Sequence, residues 1–123
     1  MKHSPGFLKL VEETKPRVRE VTVADVKAML DRGARMQLID VREESEWARG
    51  HLPGARHLSK GIIERDIETA VPDRAAPLVL YCGGGFRSAL AADNLQKMGY
   101  TDVVSMDGGW REWTEKELPV AKG

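Results

Sequence analysis

Short apolar runs alternate with amphipathic segments along most of the chain, and this alternation restricts the possible folds more than any other feature. The clearest apolar run covers residues 78–82, and the clearest amphipathic segment covers residues 88–98. Strands that alternate with helices at this spacing form a parallel sheet covered by helices on both faces. Ligands of such sheets bind beyond the carboxyl ends of the strands. The pattern therefore predicts an α/β fold with its binding crevice near residues 82–88.

The remaining elements follow from the same pattern of apolar spacing, caps and glycine stops. The predicted strands cover residues 19–21, 36–41, 55–58, 78–82 and 103–106. The predicted helices lie between Thr22 and Gly33 and at residues 43–49, 62–70, 88–98 and 110–118. Residues 1–6 are predicted to be frayed, and a short amphipathic helix is predicted to end before Pro16. We assign residues 1–18 to an extension on the outside of the fold and residues 19–123 to a single domain.

Charge and cysteine content exclude several classes of protein. The 123 residues carry 19 Lys and Arg against 19 Asp and Glu, so the chain has no general electrostatic affinity for nucleic acid or anionic membranes. Its one cysteine, Cys82, excludes an internal disulfide and a multi-cysteine zinc site. No export signal or membrane span is evident, which together with a free thiol predicts a cytoplasmic protein. The histidines lack metal-ligand spacing, so we expect neither a metal nor another cofactor.

Cys82 is the principal candidate for chemistry. It ends the apolar run and precedes three glycines, Phe86, Arg87 and the predicted helix beginning at Ser88. Glycines allow consecutive amides to converge on one point, and the helix N-terminus adds positive potential there. Arg87 supplies a fixed positive charge whose planar fork suits oxyanions. This environment favours a nucleophilic sulfur that accepts a group from an anionic donor.

Two other interpretations of the residues around Cys82 are an inert core thiol and a phosphate-binding loop. Cys82 could be an inert core thiol, because free cysteines are often buried and residues 78–80 are apolar. The triple glycine and Arg87 argue against that interpretation. A phosphate-binding P-loop is excluded, because the lysine of its Gly-x-x-x-x-Gly-Lys-Ser/Thr pattern is absent.

The chain resembles the rhodanese (sulfurtransferase) homology family in three ordered motifs. The loop Cys82-Gly83-Gly84-Gly85-Phe86-Arg87-Ser88 is similar to that family's Cys-x-x-Gly-x-Arg-Ser active-site loop. The amino-terminal signature is matched by Leu38-Ile39-Asp40-Val41-Arg42, Glu46-Trp47 and Gly50-His51-Leu52-Pro53-Gly54-Ala55, and the carboxyl-terminal one by Asp107-Gly108-Gly109-Trp110 with Trp113. Together the motifs span roughly residues 21–120, which is far more specific than any single motif.

The resemblance implies a three-layer α/β/α fold with a five-stranded parallel sheet. It also implies that Cys82 accepts a sulfane sulfur as a persulfide held by the amides of Gly83 to Ser88, and that Arg87 attracts the donor and helps to shape the loop. Thiosulfate is the donor typical of the family, and cyanide, a thiol or a protein would accept the sulfur. The related phosphatases of the Cdc25 type use Cys-x5-Arg, whereas four residues separate Cys82 from Arg87 here, which disfavours phosphatase action. The same fold could also serve as a non-catalytic interaction module or as an arsenate reductase.

Several further residues could support the loop. Asp40 could bind loop amides or pair with an arginine, and Arg42 could pair with Glu46. His51 could act as a base beside Cys82, but a role in fixing a turn fits its setting better. Phe86 is expected beside the sulfur as an apolar contact for the acceptor. Tryptophans 47, 110 and 113 are interpreted as packing residues, and Lys60, Arg65 and Arg74 are candidates for the pocket rim.

Overall fold

A five-stranded parallel sheet forms the centre of the molecule. The computed structural model describes residues 3–122. The strands are β1 (Arg19–Val21), β2 (Gln37–Asp40), β3 (Arg56–His57), β4 (Leu78–Tyr81) and β5 (Val103–Met106). The helices are α1 (Pro5–Thr14), α2 (Val23–Asp31), α3 (Glu44–Ala48), α4 (Ile63–Ala70), α5 (Phe86–Lys97) and α6 (Gly109–Glu115). The strand order β1-β5-β4-β2-β3 places β4 in the middle of the sheet.

Alternating side chains of β4 enter two separate apolar cores. Leu78 and Leu80 lie in a core shared with α4 and α5, whereas Val79 and Tyr81 lie in a core shared with α2 and α6. Helices α1 and α4 pack against α5, and α2 packs against α6. Both faces of the sheet are therefore covered, and the predicted three-layer α/β/α architecture with a five-stranded parallel sheet is confirmed.

Most predicted elements are present with shifted ends; α6, for example, ends at Glu115 and not at residue 118 as predicted. The helix after Cys82 has the shift nearest the site. It begins at Phe86, two residues before the predicted start, because Gly85 adopts φ +105° and acts as the N-cap. This left-handed conformation is accessible to glycine at little cost. Ser88 therefore lies within the first turn of α5, where its amide faces the preceding loop.

The amino-terminal segment is more ordered than predicted. Pro5 and Gly6 were expected to be frayed but form the first turn of α1, whose start is favoured by proline in its first positions. Met1 and Lys2 lie outside the described residues. After α1, a single 3-10 turn over Lys15–Arg17 contains Pro16 and leads into β1. Within residues 3–122, no helix is both long and apolar enough to cross a membrane.

Candidate active site

Cys82 lies immediately after the central strand, at the carboxyl edge of the sheet. The residue is 1% exposed and belongs to the core on the α5 side. The neighbouring strands β2 and β5 end beside it, as the pairing of Leu80 with Ile39 and Ser105 shows. The sulfur is consequently fixed at the crevice in which parallel sheets bind their ligands.

The loop after Cys82 directs backbone amides at the sulfur. The amides of Gly85 and Ser88 donate hydrogen bonds to Cys82 Sγ over 3.2 Å and 3.3 Å. The thiol in turn donates to Ser88 Oγ, 3.4 Å away. Converging amides of this kind stabilise an anion without a positively charged side chain. The arrangement can hold a thiolate, or a further sulfur anion bonded to it.

Two buried hydroxyl groups extend this hydrogen-bond network beneath the sulfur. Ser88 Oγ lies 2.7 Å from Ser105 Oγ on β5, and both residues are fully buried. When the sulfur is anionic, the Ser88 hydroxyl can turn to donate to it while Ser105 donates to Ser88. Ser105 therefore supports the site through Ser88, although the sequence motifs did not single it out.

The start of α6 holds the loop in this conformation. The amide of Trp110 donates to the carbonyl of Cys82 over 2.8 Å, and the amide of Arg111 donates to the carbonyl of Gly83 over 3.0 Å. This close approach requires glycine at position 109, because a β-carbon there would lie 2.5 Å from the carbonyl oxygen of Cys82 and 2.7 Å from that of Gly83. With these carbonyls bound to α6, the later amides of the loop are free to face the sulfur.

Arg87 is held by Glu46. Its Nη1 and Nη2 donate to Glu46 Oε1 and Oε2 over 2.7 Å and 3.0 Å. The hydrogen bond from Arg87 lowers the pKa of the Glu46 carboxyl from its usual value, and the same pair raises the pKa of Arg87. Arg87 Nη2 also lies 2.9 Å from the point where a β-carbon on Gly83 would be. The guanidinium thus connects the loop to α3, with much of its charge neutralised.

Asp40 and Arg42 form a buried ion pair next to this site. Arg42 Nη2 donates to Asp40 Oδ2 and to the carbonyl of Gly50, both over 2.7 Å. The Arg42 guanidinium also lies 4.5 Å from the ring centre of Trp110. The expected pairing of Arg42 with Glu46 is wrong, because Asp40 is closer along the chain and Glu46 is bound to Arg87. The pair supports the wall of the site that Trp110 forms.

A pocket of about 780 Å³ opens above Cys82. Its lining combines the loop with residues from three other segments of the chain: His3, Phe7, Glu46, Cys82, Gly83, Gly84, Phe86, Arg87, Asp107, Gly108, Trp110 and Arg111. Phe86 lies in this wall, with ring centres 5.1 Å from His3 and 6.1 Å from Phe7. The amino-terminal extension therefore forms part of the pocket wall.

Sequence patterns did not indicate His3, Phe7 or Arg111, which come from segments distant from the loop. Gly109 lies in a recognised motif, but the motif does not reveal its contact with the loop. The proposed rim residues Lys60, Arg65 and Arg74 are absent from the lining; Arg65 pairs with Asp66, and Arg74 pairs with Glu68.

His51 contacts Leu52 and Trp47 and makes no hydrogen bond with Cys82. Its Nδ1 donates to the carbonyl of Leu52 over 2.9 Å, and its ring stacks on Trp47 with centres 3.6 Å apart. It is not among the residues that line the pocket. Within the described part of the chain, no group of three or more His, Cys, Asp and Glu residues could hold a metal ion.

Comparison with known proteins identifies related chains. The Rhodanese-like domain family matches residues 22–116. The probable adenylyltransferase/sulfurtransferase MoeZ of Mycobacterium tuberculosis is 34% identical over 99 residues, which cover 80% of this chain and 25% of MoeZ. The chain thus spans about a quarter of the length of that relative. Thiosulfate sulfurtransferase GlpE of Pseudomonas aeruginosa is 34% identical over 95 residues, which cover 77% of this chain and 83% of GlpE.

A solved structure matches almost the whole fold. A protein of unknown function from Rhodopseudomonas palustris, described as a possible tyrosine phosphatase, superposes with a TM-score of 0.88 and 28% sequence identity. The match covers 98% of both chains. It therefore includes most of the amino-terminal extension, in addition to the sheet and its helices.

Proposed function

The chain belongs to the rhodanese-like domain family, and on that basis we propose that it is a sulfurtransferase that carries a sulfane sulfur on Cys82. The observation that supports this most directly is the convergence of two amides on Cys82 Sγ at the base of an open pocket. The relative GlpE, named as a thiosulfate sulfurtransferase, is similar over 83% of its own length. Both point to transfer of sulfur through a stabilised sulfur anion.

The proposed first half-reaction uses thiosulfate, a dianionic donor. The Cys82 thiolate attacks the outer sulfur of thiosulfate, and a bond forms between the two sulfur atoms. The bond inside thiosulfate breaks, and its electron pair leaves with sulfite, so that a thiolate and a dianion give a persulfide anion and the sulfite dianion. The amides of Gly85 and Ser88, positioned for one sulfur anion, would bind the persulfide as it forms.

The proposed second half-reaction returns the protein to its starting state. A thiophilic acceptor, either cyanide or a thiolate, attacks the outer sulfur of the persulfide. The bond between the sulfur atoms breaks, and its electron pair restores the Cys82 thiolate. With cyanide the product is thiocyanate, and with a thiolate it is a new persulfide. Neither half-reaction requires a second cysteine, a metal or an external oxidant.

Phosphoryl transfer is the second candidate, because the Rhodopseudomonas palustris protein is described as a possible tyrosine phosphatase. Four residues separate Cys82 from Arg87, whereas the related phosphatases of the Cdc25 type use a larger five-residue spacing that fits a tetrahedral phosphate. In addition, Arg87 is bound by both oxygens of Glu46. Both features favour sulfur over phosphate as the transferred group.

Intact-mass measurement tests the proposal. After incubation with thiosulfate, the wild-type protein should gain the mass of one sulfur atom, lose it on addition of cyanide, and release an equal amount of thiocyanate. The Cys82→Ser variant should neither gain the sulfur mass nor release thiocyanate. A folded wild-type protein that never acquires cyanide-labile sulfur would contradict the proposal, and hydrolysis of a phosphoester that depends on Cys82 would support the second candidate.

A further inference from the structure

Some of the charged side chains around the pocket form ion pairs, and Arg111 does not form one with any residue within 3–122. Among those that line it, Glu46 is bound by Arg87, and Asp107 lies 3.5 Å from Lys15 Nζ. Arg111 also lines the pocket and is exposed. Within residues 3–122, no carboxylate forms an ion pair with its guanidinium. Arg111 is therefore available to bind an anion that enters from solvent.

The position of Arg111 follows from the contact between α6 and the loop. Its own amide donates to the carbonyl of Gly83, so its backbone is fixed beside the residue that follows Cys82. Its Nη2 lies 3.8 Å from the point where a β-carbon on Gly84 would be. Because Gly83 and Gly84 carry no side chains, the guanidinium can lie along the loop without obstruction.

We propose that Arg111 recognises the anionic end of the sulfur donor, an inference that rests on the proposed sulfur transfer at Cys82. The donor class that fits is a small oxyanion with a terminal sulfane sulfur, such as thiosulfate. Its sulfane end must reach Cys82 at the base of the pocket, so its charged oxygens lie nearer the loop surface. The planar guanidinium of Arg111 lies beside the loop without a carboxylate partner within residues 3–122, so it can donate two parallel hydrogen bonds to those oxygens.

This assignment divides the roles of the two pocket arginines. Both nitrogens of the Arg87 fork donate to Glu46, so its contribution is to hold the loop against α3. Arg111 supplies the contact to donor oxygens and to the departing sulfite. From the family resemblance, Arg87 was expected to attract the donor. The sequence does not reveal that Glu46 binds this side chain, which the structure shows.

The first test measures anion selectivity at Cys82 without any sulfur transfer. Iodoacetate and iodoacetamide alkylate the same thiol but differ in charge, so the ratio of their rate constants reports how strongly the pocket favours an anion. Arg111→Gln should lower this ratio about ten-fold, the low end for loss of a charged hydrogen bond. Arg111→Lys should retain part of the preference, because it keeps the charge but loses the planar fork.

Arg35→Gln is the matched control. Arg35 is exposed and precedes β2, at the end of the sheet opposite to Cys82, so this variant makes the same change in net charge far from the pocket. Its alkylation ratio should equal that of the wild-type protein. An Arg111→Gln ratio equal to that of Arg35→Gln would overturn the proposal.

The second test follows kcat/KM for thiosulfate in the thiosulfate and cyanide assay. Arg111→Gln should reduce it about ten-fold, and Arg35→Gln should not. An unchanged value in an active protein would overturn the role of Arg111 in donor recognition. If the wild-type protein does not use thiosulfate but the alkylation ratio still falls in Arg111→Gln, the proposed function fails while anion recognition by Arg111 is supported.

Discussion

Replacement of Gly109 by alanine tests the link between α6 and the active-site loop. Gly109 has φ +56°, where a residue with a β-carbon costs about 1–2 kcal/mol. The new β-carbon would lie 2.5 Å from the carbonyl oxygen of Cys82 and 2.7 Å from that of Gly83. Both atoms belong to the backbone, so no side-chain rotation can relieve the overlap, and α6 must move away from the loop.

That movement weakens the two hydrogen bonds from α6 to the loop, each worth about 1 kcal/mol. Together with the cost of the backbone conformation, Gly109→Ala should lower the free energy of unfolding by about 3 kcal/mol. For a chain of this length, that corresponds to a fall of about 10 °C in Tm. The loop amides should also lose their alignment with the sulfur, so alkylation of Cys82 by iodoacetamide at neutral pH should slow about ten-fold.

Gly33→Ala separates these effects from the general cost of the conformation. Gly33 has φ +65°, but a β-carbon there would meet no atom within 4 Å. The Gly33→Ala variant should lose only about 1–2 kcal/mol of its free energy of unfolding and should keep the wild-type alkylation rate. Tm measured by circular dichroism and alkylation followed by mass spectrometry provide the comparison. Equal stability and equal alkylation rates in the two variants would refute the role assigned to α6.

Three other substitutions probe the rest of the site. Glu46→Gln should lower stability by about 1 kcal/mol at pH 7. Because the folded carboxyl pKa lies below its usual value of 4.5, the difference in Tm from the wild-type protein should shrink as the pH falls below 4.5 and vanish once the folded carboxyl is protonated. Ser105→Ala should slow persulfide loading about three-fold by leaving Ser88 without its donor, as measured by the rate of sulfite release. Phe7→Ala should raise KM for an aromatic thiol acceptor about three-fold while KM for cyanide is unchanged; equal changes for both acceptors would contradict a contact with the acceptor.

The sequence was sufficient to predict the sheet and the Cys82 loop, because both depend on local signals. The run at residues 78–82 is apolar throughout, and glycines and Arg87 follow it directly. The start of α5 was misplaced by two residues because apolar periodicity does not reveal that Gly85 serves as a left-handed N-cap. Local patterning therefore located the loop after Cys82 and misplaced the start of the helix that follows it.

The walls of the pocket could not be predicted in the same way. Phe7 and Arg111 reach the site only because α1 packs on α5 and α6 binds the loop, and such contacts between distant segments leave no periodic signal. The partner of Arg42 was also mistaken, since Glu46 lies at helical spacing but is bound to Arg87 in three dimensions. Contacts between elements decide which residues line the pocket and which side chains pair. Secondary-structure propensity contains no information about such contacts.

The burial of Cys82 gives the proposed persulfide a preferred direction of attack. Cys82 is 1% exposed, and a bond of about 2 Å between sulfur atoms would carry the outer sulfur into the pocket while the inner one stays covered by the loop. A thiolate that attacks the outer sulfur departs with it and regenerates the protein. Attack on the inner sulfur would expel sulfide and leave the acceptor attached to Cys82 as a mixed disulfide. Because the inner sulfur is shielded, attack at the outer sulfur is favoured. The protein is then regenerated, and the mixed disulfide, which would block further turnover, is avoided.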